Sequence, residues 1–239
     1  KYPTCHTSGC IDYITIGGIV YTMHEYDING QSITWANKKH NKMDYLLSYY
    51  QRKKPEIELR LKEFEQNKDY FYELCFCILT PQSSAKSAWK SILKLKEINF
   101  KNKDINPKDY INNVRFHNNK SKYLIELKDK YNFILKNINE TKDSRELRVF
   151  LVKNVKGYGL KESSHFLRNI GHKNLAILDR HILKNLVRYN VINEIPRSLT
   201  EKKYLEIENK FLDFSKKTNI PLDHLDLLFW SQETGEIFK

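Results

Sequence analysis

From residue 47 to residue 239 the apolar residues of this chain recur at helical spacing, and no run alternates as a half-buried strand must. That periodicity limits the fold more than any other feature. Glu56 to Phe64 carries Ile57, Leu59, Leu61 and Phe64 among charges. Tyr70 to Leu79 is so densely apolar (Phe71, Leu74, Cys75, Phe76, Ile78, Leu79) that it predicts a buried helix. Thr80-Pro81-Gln82-Ser83-Ser84 breaks it, and Ser83 or Ser84 caps a following helix that runs through Trp89, Ile92 and Leu93. Further helical segments fall near 107–113, 118–131, 144–154, 160–170, 180–190, 200–217 and 221–231. No linker divides them, so 47–239 reads as one all-α domain of short helices.

Residues 1–46 follow another pattern. Ile11 to Ile16 and Ile19 to Thr22 are β-branched and aromatic around Gly17-Gly18, which suggests a small β-hairpin. A lone hairpin is marginal in water, so it either docks on the helical domain or stays poorly ordered. Cys5, His6, Cys10 and His24 share this stretch, but their spacing fits no zinc signature and no metal is expected. The segment reads as an appended module or as an upstream stretch foreign to the native product.

The charge separates the same two parts. In residues 1–46 four lysines balance four acidic residues, so 47–239 carries the whole +12. Nine of the 41 basic residues are arginine, which makes the basic surface one of lysine point charges rather than bidentate forks. A cationic chain of this kind suits a polyanion, nucleic acid first. No run approaches the ~18 apolar residues of a membrane span. The N-terminus lacks the order of a signal peptide. The expectation is an intracellular protein that works on nucleic acid as a monomer.

The chemistry concentrates between Ser144 and Leu186. Asp143 or Ser144 starts a helix with Leu147, Phe150 and Leu151 on one face, and Val155-Lys156-Gly157-Tyr158-Gly159 stops it. A second helix opens at Leu160 and carries Phe166, Leu167 and Ile170. Two glycines between two short amphipathic helices make a tight hairpin, whose N–H groups and following helix N-terminus suit a phosphate. An ordinary helical corner would look the same if nothing followed it. Here Lys161 stands in the first turn of the second helix, where a cation meets the unfavourable end of the helix dipole. Partial desolvation there disfavours an ammonium and frees an amine for attack on carbon. Asp179 follows an apolar run and precedes the next helix, so it suits an N-cap and also a carboxylate that steadies a developing cation. Lysine, carboxylate and phosphate-binding hairpin together suit the removal of a base from a nucleotide sugar.

Val155 to Asn169, with Ile177-Leu178-Asp179-Arg180-His181-Ile182-Leu183, resembles the helix-hairpin-helix DNA glycosylase superfamily. Glu73 to Thr80, Lys203 to Glu208 and Leu225 to Lys239 narrow the resemblance to the archaeal-type 8-oxoguanine DNA glycosylase/AP lyases, over roughly 47–239. The resemblance implies two helical subdomains flanking a cleft. It makes Lys161 the Schiff-base lysine, Asp179 the catalytic aspartate, and Gly157 and Gly159 the hairpin that holds the DNA backbone. Phe116, Trp230 and Lys239 become base-pocket residues. It implies double-stranded DNA containing oxidised guanine as partner and no cofactor, since no cysteine follows Cys77 to build the four-cysteine cluster of some relatives. A non-catalytic DNA-binding module, or a glycosylase for another damaged base, is the alternative. His165 and His181 flank the motif and read as packed or solvated, Cys75 and Cys77 as small core residues. Arg115-Phe116-His117 reads as an inter-helix loop that could enter the duplex.

Overall fold

The computed structural model describes residues 42–239 together with the backbone of two strands, β1 (Asp12–Ile16) and β2 (Ile19–Met23). The strands pair antiparallel, with Ile16 opposite Ile19 and Asp12 opposite Met23. The two β-branched runs therefore pair as expected. Gly17-Gly18 between them, and Cys5, His6, Cys10 and His24, lie outside the described residues. The chain divides into two compact units, Lys1–Lys53 and Lys54–Lys239. The boundary falls inside one long helix, α1 (Lys42–Gln66), just before Pro55, whose missing N–H removes a rung of the helix. Helix thus begins at Lys42, ahead of the periodicity that marks residue 47.

Eight more helices follow: α2 (Tyr70–Leu79), α3 (Ala85–Glu97), α4 (His117–Glu140), α5 (Ser144–Asn154), α6 (Leu160–Arg168), α7 (Arg180–Arg188), α8 (Glu201–Thr218) and α9 (Leu222–Thr234). A 3-10 turn at Lys108–Tyr110 stands where the pattern suggested a helix near 107–113. The all-helical expectation holds for the described part of 47–239. Ser84 caps α3 and Asp143 caps α5, which settles both open choices of cap, and Asp179 and Thr200 cap α7 and α8.

The second unit is organised around α2. Every residue from Phe71 to Leu79 except Tyr72 is buried, and the helix packs against α3, α4 and α6. Phe71, Phe76, Ile92, Leu124, Leu147 and Phe166 meet there with no exposed surface, each contributing roughly 1.5–3 kcal/mol by leaving water. Cys75 and Cys77 are free and buried, and burial raises both thiols well above the usual value, so neither is a ready nucleophile. Helices α7 to α9 form a second group around stacked rings. Phe229 lies 5.3 Å from Tyr189 and 5.7 Å from Phe211, nearly parallel to both.

Two buried ion pairs cross from the first group to the second, Arg168–Asp226 and Arg148–Glu208. Arg148 on α5 donates to Glu208 on α8 through Nη1 at 2.6 Å and Nη2 at 2.9 Å, with both side chains 3% exposed or less. Glu208 also accepts from the Ala176 amide at 2.9 Å, and the same Arg148 Nη1 also donates to the Ser164 hydroxyl of α6 at 3.2 Å. The carboxylate therefore holds the segment that leads to Asp179.

The hairpin between α5 and α6 uses its two glycines differently. Gly157 has φ +87°, and a Cβ there would stand 2.8 Å from the Tyr123 ring. Gly159 is the extended N-cap of α6, with φ −114°. Tyr158 between them is buried and donates its hydroxyl hydrogen to the Leu74 carbonyl at 3.0 Å, which pins the hairpin to α2.

Two stability measurements check this description. Gly157→Ala should cost at least about 1–2 kcal/mol, the price of a left-handed non-glycine residue, with the ring clash added. Gly159→Ala meets only the movable tip of Glu162 at 3.3 Å and should cost less. Equal losses in urea unfolding would contradict the assignment. Glu208→Gln strands Arg148 in the core and should cost about 3–5 kcal/mol in the same assay.

Candidate active site

Lys161 occupies the second position of α6 and keeps 27% of its side chain exposed. Its ammonium lies 3.0 Å from Glu162 Oε1, while Glu162 Oε2 accepts the Gly159 amide at 3.1 Å. One carboxylate thus holds the hairpin backbone and the lysine together. The rest of α6 is sunk in protein: Ser163 through Arg168 are all buried. His165, one turn beyond Lys161, packs edge-on against Phe76 at 5.6 Å, and its Nε2 is buried with no hydrogen-bond partner. Burial, followed by the charges of Arg168 and Lys161, drives its pKa well below the ordinary value. The imidazole is therefore neutral at physiological pH.

Asp179 is the N-cap of α7. Its Oδ1 accepts from the amides of His181 and Ile182, both at 2.8 Å. The segment that delivers it is fixed by α8, because the Tyr204 hydroxyl donates to the Ala176 carbonyl at 2.6 Å and accepts from the Leu178 amide at 3.4 Å. Further carboxyls gather behind it. Asp226 pairs with Arg168 at 3.1 Å, yet burial pushes its pKa up to about 7, with the charges of Asp179 and Asp223 adding to the rise.

Lys239 and Trp230 both belong to the C-terminal part of the described residues, with separate neighbours. The Lys239 ammonium lies 2.5 Å from Glu73 Oε2, 4.3 Å from the Trp89 ring centre and 5.1 Å from that of Phe76. Trp230 stacks on Phe238 with ring centres 6.4 Å apart. A recess of about 220 Å³ opens beside Lys239, lined by Asn67, Tyr72, Glu73, Trp89 and Lys96 among others. Lys239 and Lys161 both act electrostatically on His165 of α6.

Phe116 stands apart from these groups. It precedes α4 with φ +58° and leaves 53% of its surface exposed, with the Arg115 guanidinium 5.5 Å from its ring. An exposed aromatic held in the left-handed region is costly, and the surrounding backbone has to impose it. Lys120 supplies part of that restraint. Its buried ammonium donates to the carbonyls of Leu79 and Pro81, both at 2.7 Å, and to Ser83 Oγ at 3.3 Å. Ser83 Oγ in turn accepts the Arg115 amide at 3.0 Å. Burial, aided by the charge of Lys161, lowers the Lys120 pKa to about 8.

Glu73, Trp89, Lys120, Glu162 and Tyr158 escaped the sequence reading as site residues. Glu73 carried a signal, since it is the one acid in the apolar run of α2. Lys120 carried none, being one lysine of a lysine-rich helix. Among the described residues no group of three or more His, Cys, Asp or Glu side chains converges as metal ligands would, and no helix is long and apolar enough to cross a membrane.

The family model for 8-oxoguanine DNA glycosylase matches residues 57–220. The chain is 46% identical over 216 residues to the 8-oxoguanine DNA glycosylase/AP lyase of Fusobacterium nucleatum, covering 84% of this chain and 100% of that one. It is 36% identical over 190 residues to the protein of the same name from Methanocaldococcus jannaschii, covering 77% and 91%. The crystal structure of the Methanocaldococcus jannaschii 8-oxoguanine DNA glycosylase matches with a TM-score of 0.74 at 36% identity, over 85% of this chain and 100% of that one. The structure of that organism's enzyme in complex with a 15mer DNA containing 8-oxoguanine matches with a TM-score of 0.73, over 82% of this chain and 100% of that one. Motif, fold and comparison agree, and the chain belongs to the 8-oxoguanine DNA glycosylase family.

Proposed function

We propose that this chain excises 8-oxoguanine from duplex DNA and cleaves the strand at the abasic site it makes, with 47–239 as the glycosylase/lyase domain. The observation that carries the reading is the placement of Lys161. It projects from the first turn of a buried helix, directly after a hairpin whose glycine backbone suits a DNA phosphate. Lysines elsewhere on the surface bind the duplex as point charges. The damaged nucleotide leaves the stack at a cost of a few kcal/mol. Stacking on Trp230 and polar contact with Lys239 offset that cost, and Phe116 supports the opened duplex.

Chemistry then needs a nucleophile and a negative charge. Lys161 gives up a proton, for which Glu162 at 3.0 Å is an acceptor within reach, and its free amine attacks C1′ of the sugar. The C1′–N bond to the base breaks as the C1′–Nζ bond forms, and the base carries away the bonding pair. The Asp179 carboxylate stabilises positive charge on the sugar at this stage. Opening of the sugar ring gives an imine. Loss of a proton from C2′ and of the 3′ phosphate by β-elimination nicks the strand on the 3′ side, and water releases the lysine.

Borohydride reduces the imine and should trap a covalent protein–DNA adduct on an 8-oxoguanine duplex. Lys161→Gln should trap nothing, and an adduct from that variant would assign the nucleophile elsewhere. A helix-hairpin-helix module without chemistry would bind the same duplex and also trap nothing in the wild type.

Asp179 needs a substitution that separates capping from catalysis. Asparagine caps a helix as well as aspartate does, so Asp179→Asn should leave stability within about 0.5 kcal/mol. Excision in single-turnover kinetics should nevertheless fall by roughly 10²-fold or more, the usual loss for a charge that acts in the transition state. Wild-type excision by this variant would reduce Asp179 to a cap.

A further inference from the structure

We propose that Glu73 is a positioning residue for base recognition, its buried carboxylate fixing the Lys239 ammonium relative to the helix that carries Lys161. The proposal rests on the reading above that Lys239 lines the base pocket. Glu73 is 3% exposed, on a helix whose other buried residues are all apolar or aromatic. A carboxylate in such a place is retained only if its charge and its lone pairs are satisfied.

The three groups that satisfy it come from three separate parts of the chain. Oε1 accepts the Asn169 side-chain amide at 2.6 Å. Oε2 accepts the Lys239 ammonium at 2.5 Å and the Asn67 side-chain amide at 3.1 Å. Asn67 also donates to the Asn169 carbonyl at 3.1 Å, which closes the network. Both asparagines are neutral, so Lys239 is the cation in this set and balances the charge. In return Lys239 loses its freedom. A lysine side chain ordinarily samples many rotamers, but this one is 12% exposed and sits over the rings of Trp89 and Phe76.

Asn169 gives the network its reach. It is the C-cap of α6, and Lys161 stands in the first turn of that same rigid helix, about 12 Å away along the axis at 1.5 Å per residue. One carboxylate therefore holds the far end of the nucleophile's helix and the ammonium that meets the base. With one N–H committed to Glu73, the other two ammonium hydrogens are left for acceptors on the base edge. A glutamine keeps one carbonyl oxygen for an asparagine amide and loses the second acceptor together with the charge that holds the lysine.

The test compares wild type, Glu73→Gln, Lys239→Met and the double variant on two duplexes. One carries 8-oxoguanine, and the other carries a preformed abasic site, which needs Lys161 but presents no base to read. Single-turnover rates give the ratio of excision to abasic-site cleavage. That ratio should fall about 10- to 100-fold in each single variant, the scale of an ångström-sized misplacement, and no further in the double variant. Equal loss of both activities in Glu73→Gln would show a carboxylate that serves the fold alone and would overturn the proposal. So would an unchanged ratio in Glu73→Gln beside a reduced one in Lys239→Met, which leaves the pocket reading standing, or losses that multiply in the double variant. An unchanged ratio in Lys239→Met would remove Lys239 from the pocket and with it the basis of the proposal. Should Glu73→Gln fail to fold, the double variant must melt above Lys239→Met, because it no longer strands a buried charge. The absence of that rise would overturn the pairing.

Discussion

The pairing of Arg148 with Glu208 is the most deeply buried ion pair through which the two helical groups meet among the described residues. A guanidinium and a carboxylate in that position satisfy each other only in one bidentate geometry. Because Glu208 also takes the Ala176 amide and Arg148 also reaches Ser164, that geometry is transmitted to α6 on one side and to the approach to Asp179 on the other. The site depends on this. Lys161 belongs to the first group and Asp179 opens the second, and no local interaction within either helix could set their relative placement.

Two more buried pairs repeat the logic. Arg168 meets Asp226 of α9, and Lys239 meets Glu73 of α2. Such pairs stabilise little, since desolvation consumes most of the Coulomb gain, but a mismatched arrangement leaves a bare charge in the core and is strongly disfavoured. They act on α6 from different directions. Ser164, Arg168 and Asn169 receive them along a single short helix, so α6 cannot turn about its axis or slide without breaking one. Its first turn alone is left to face a substrate.

Much of this was legible in the sequence wherever the signal was local. The α2 helix runs over the ten residues of the apolar run, and Asp179 is the cap its position implied. The Gly-x-Gly hairpin was legible as a turn, but which glycine takes the left-handed region, and that Tyr123 of α4 packs against it, showed only in the fold. Site residues supplied by packing were not legible. Lys120 looks like its solvated neighbours on α4, and only the fold shows that its ammonium is buried against carbonyls at and just after the end of α2. Glu162 looks like a favourable acid at a helix start, and the structure adds its grip on Lys161. The resemblance placed Lys239 and Trp230 in one pocket, but the carboxylate and rings that hold the lysine belong to α2 and α3.

Three lysines near the site show how one residue type takes different tasks through its acceptors. Lys120 gives its hydrogens to two carbonyls and a hydroxyl. None of these carries a charge, so burial is uncompensated and the amine becomes a weak base fitted to bracing a loop. Lys239 gives one hydrogen to a buried carboxylate and leans on two rings, so its position is fixed, which suits recognition. Lys161 is more exposed than Lys239 and has a carboxylate from its own first turn beside it. That carboxylate sits on the same helix as the lysine it faces. In the proposed mechanism Lys161 must lose a proton and move while Lys239 must do neither, and the acceptors around each lysine are distributed in keeping with that proposal.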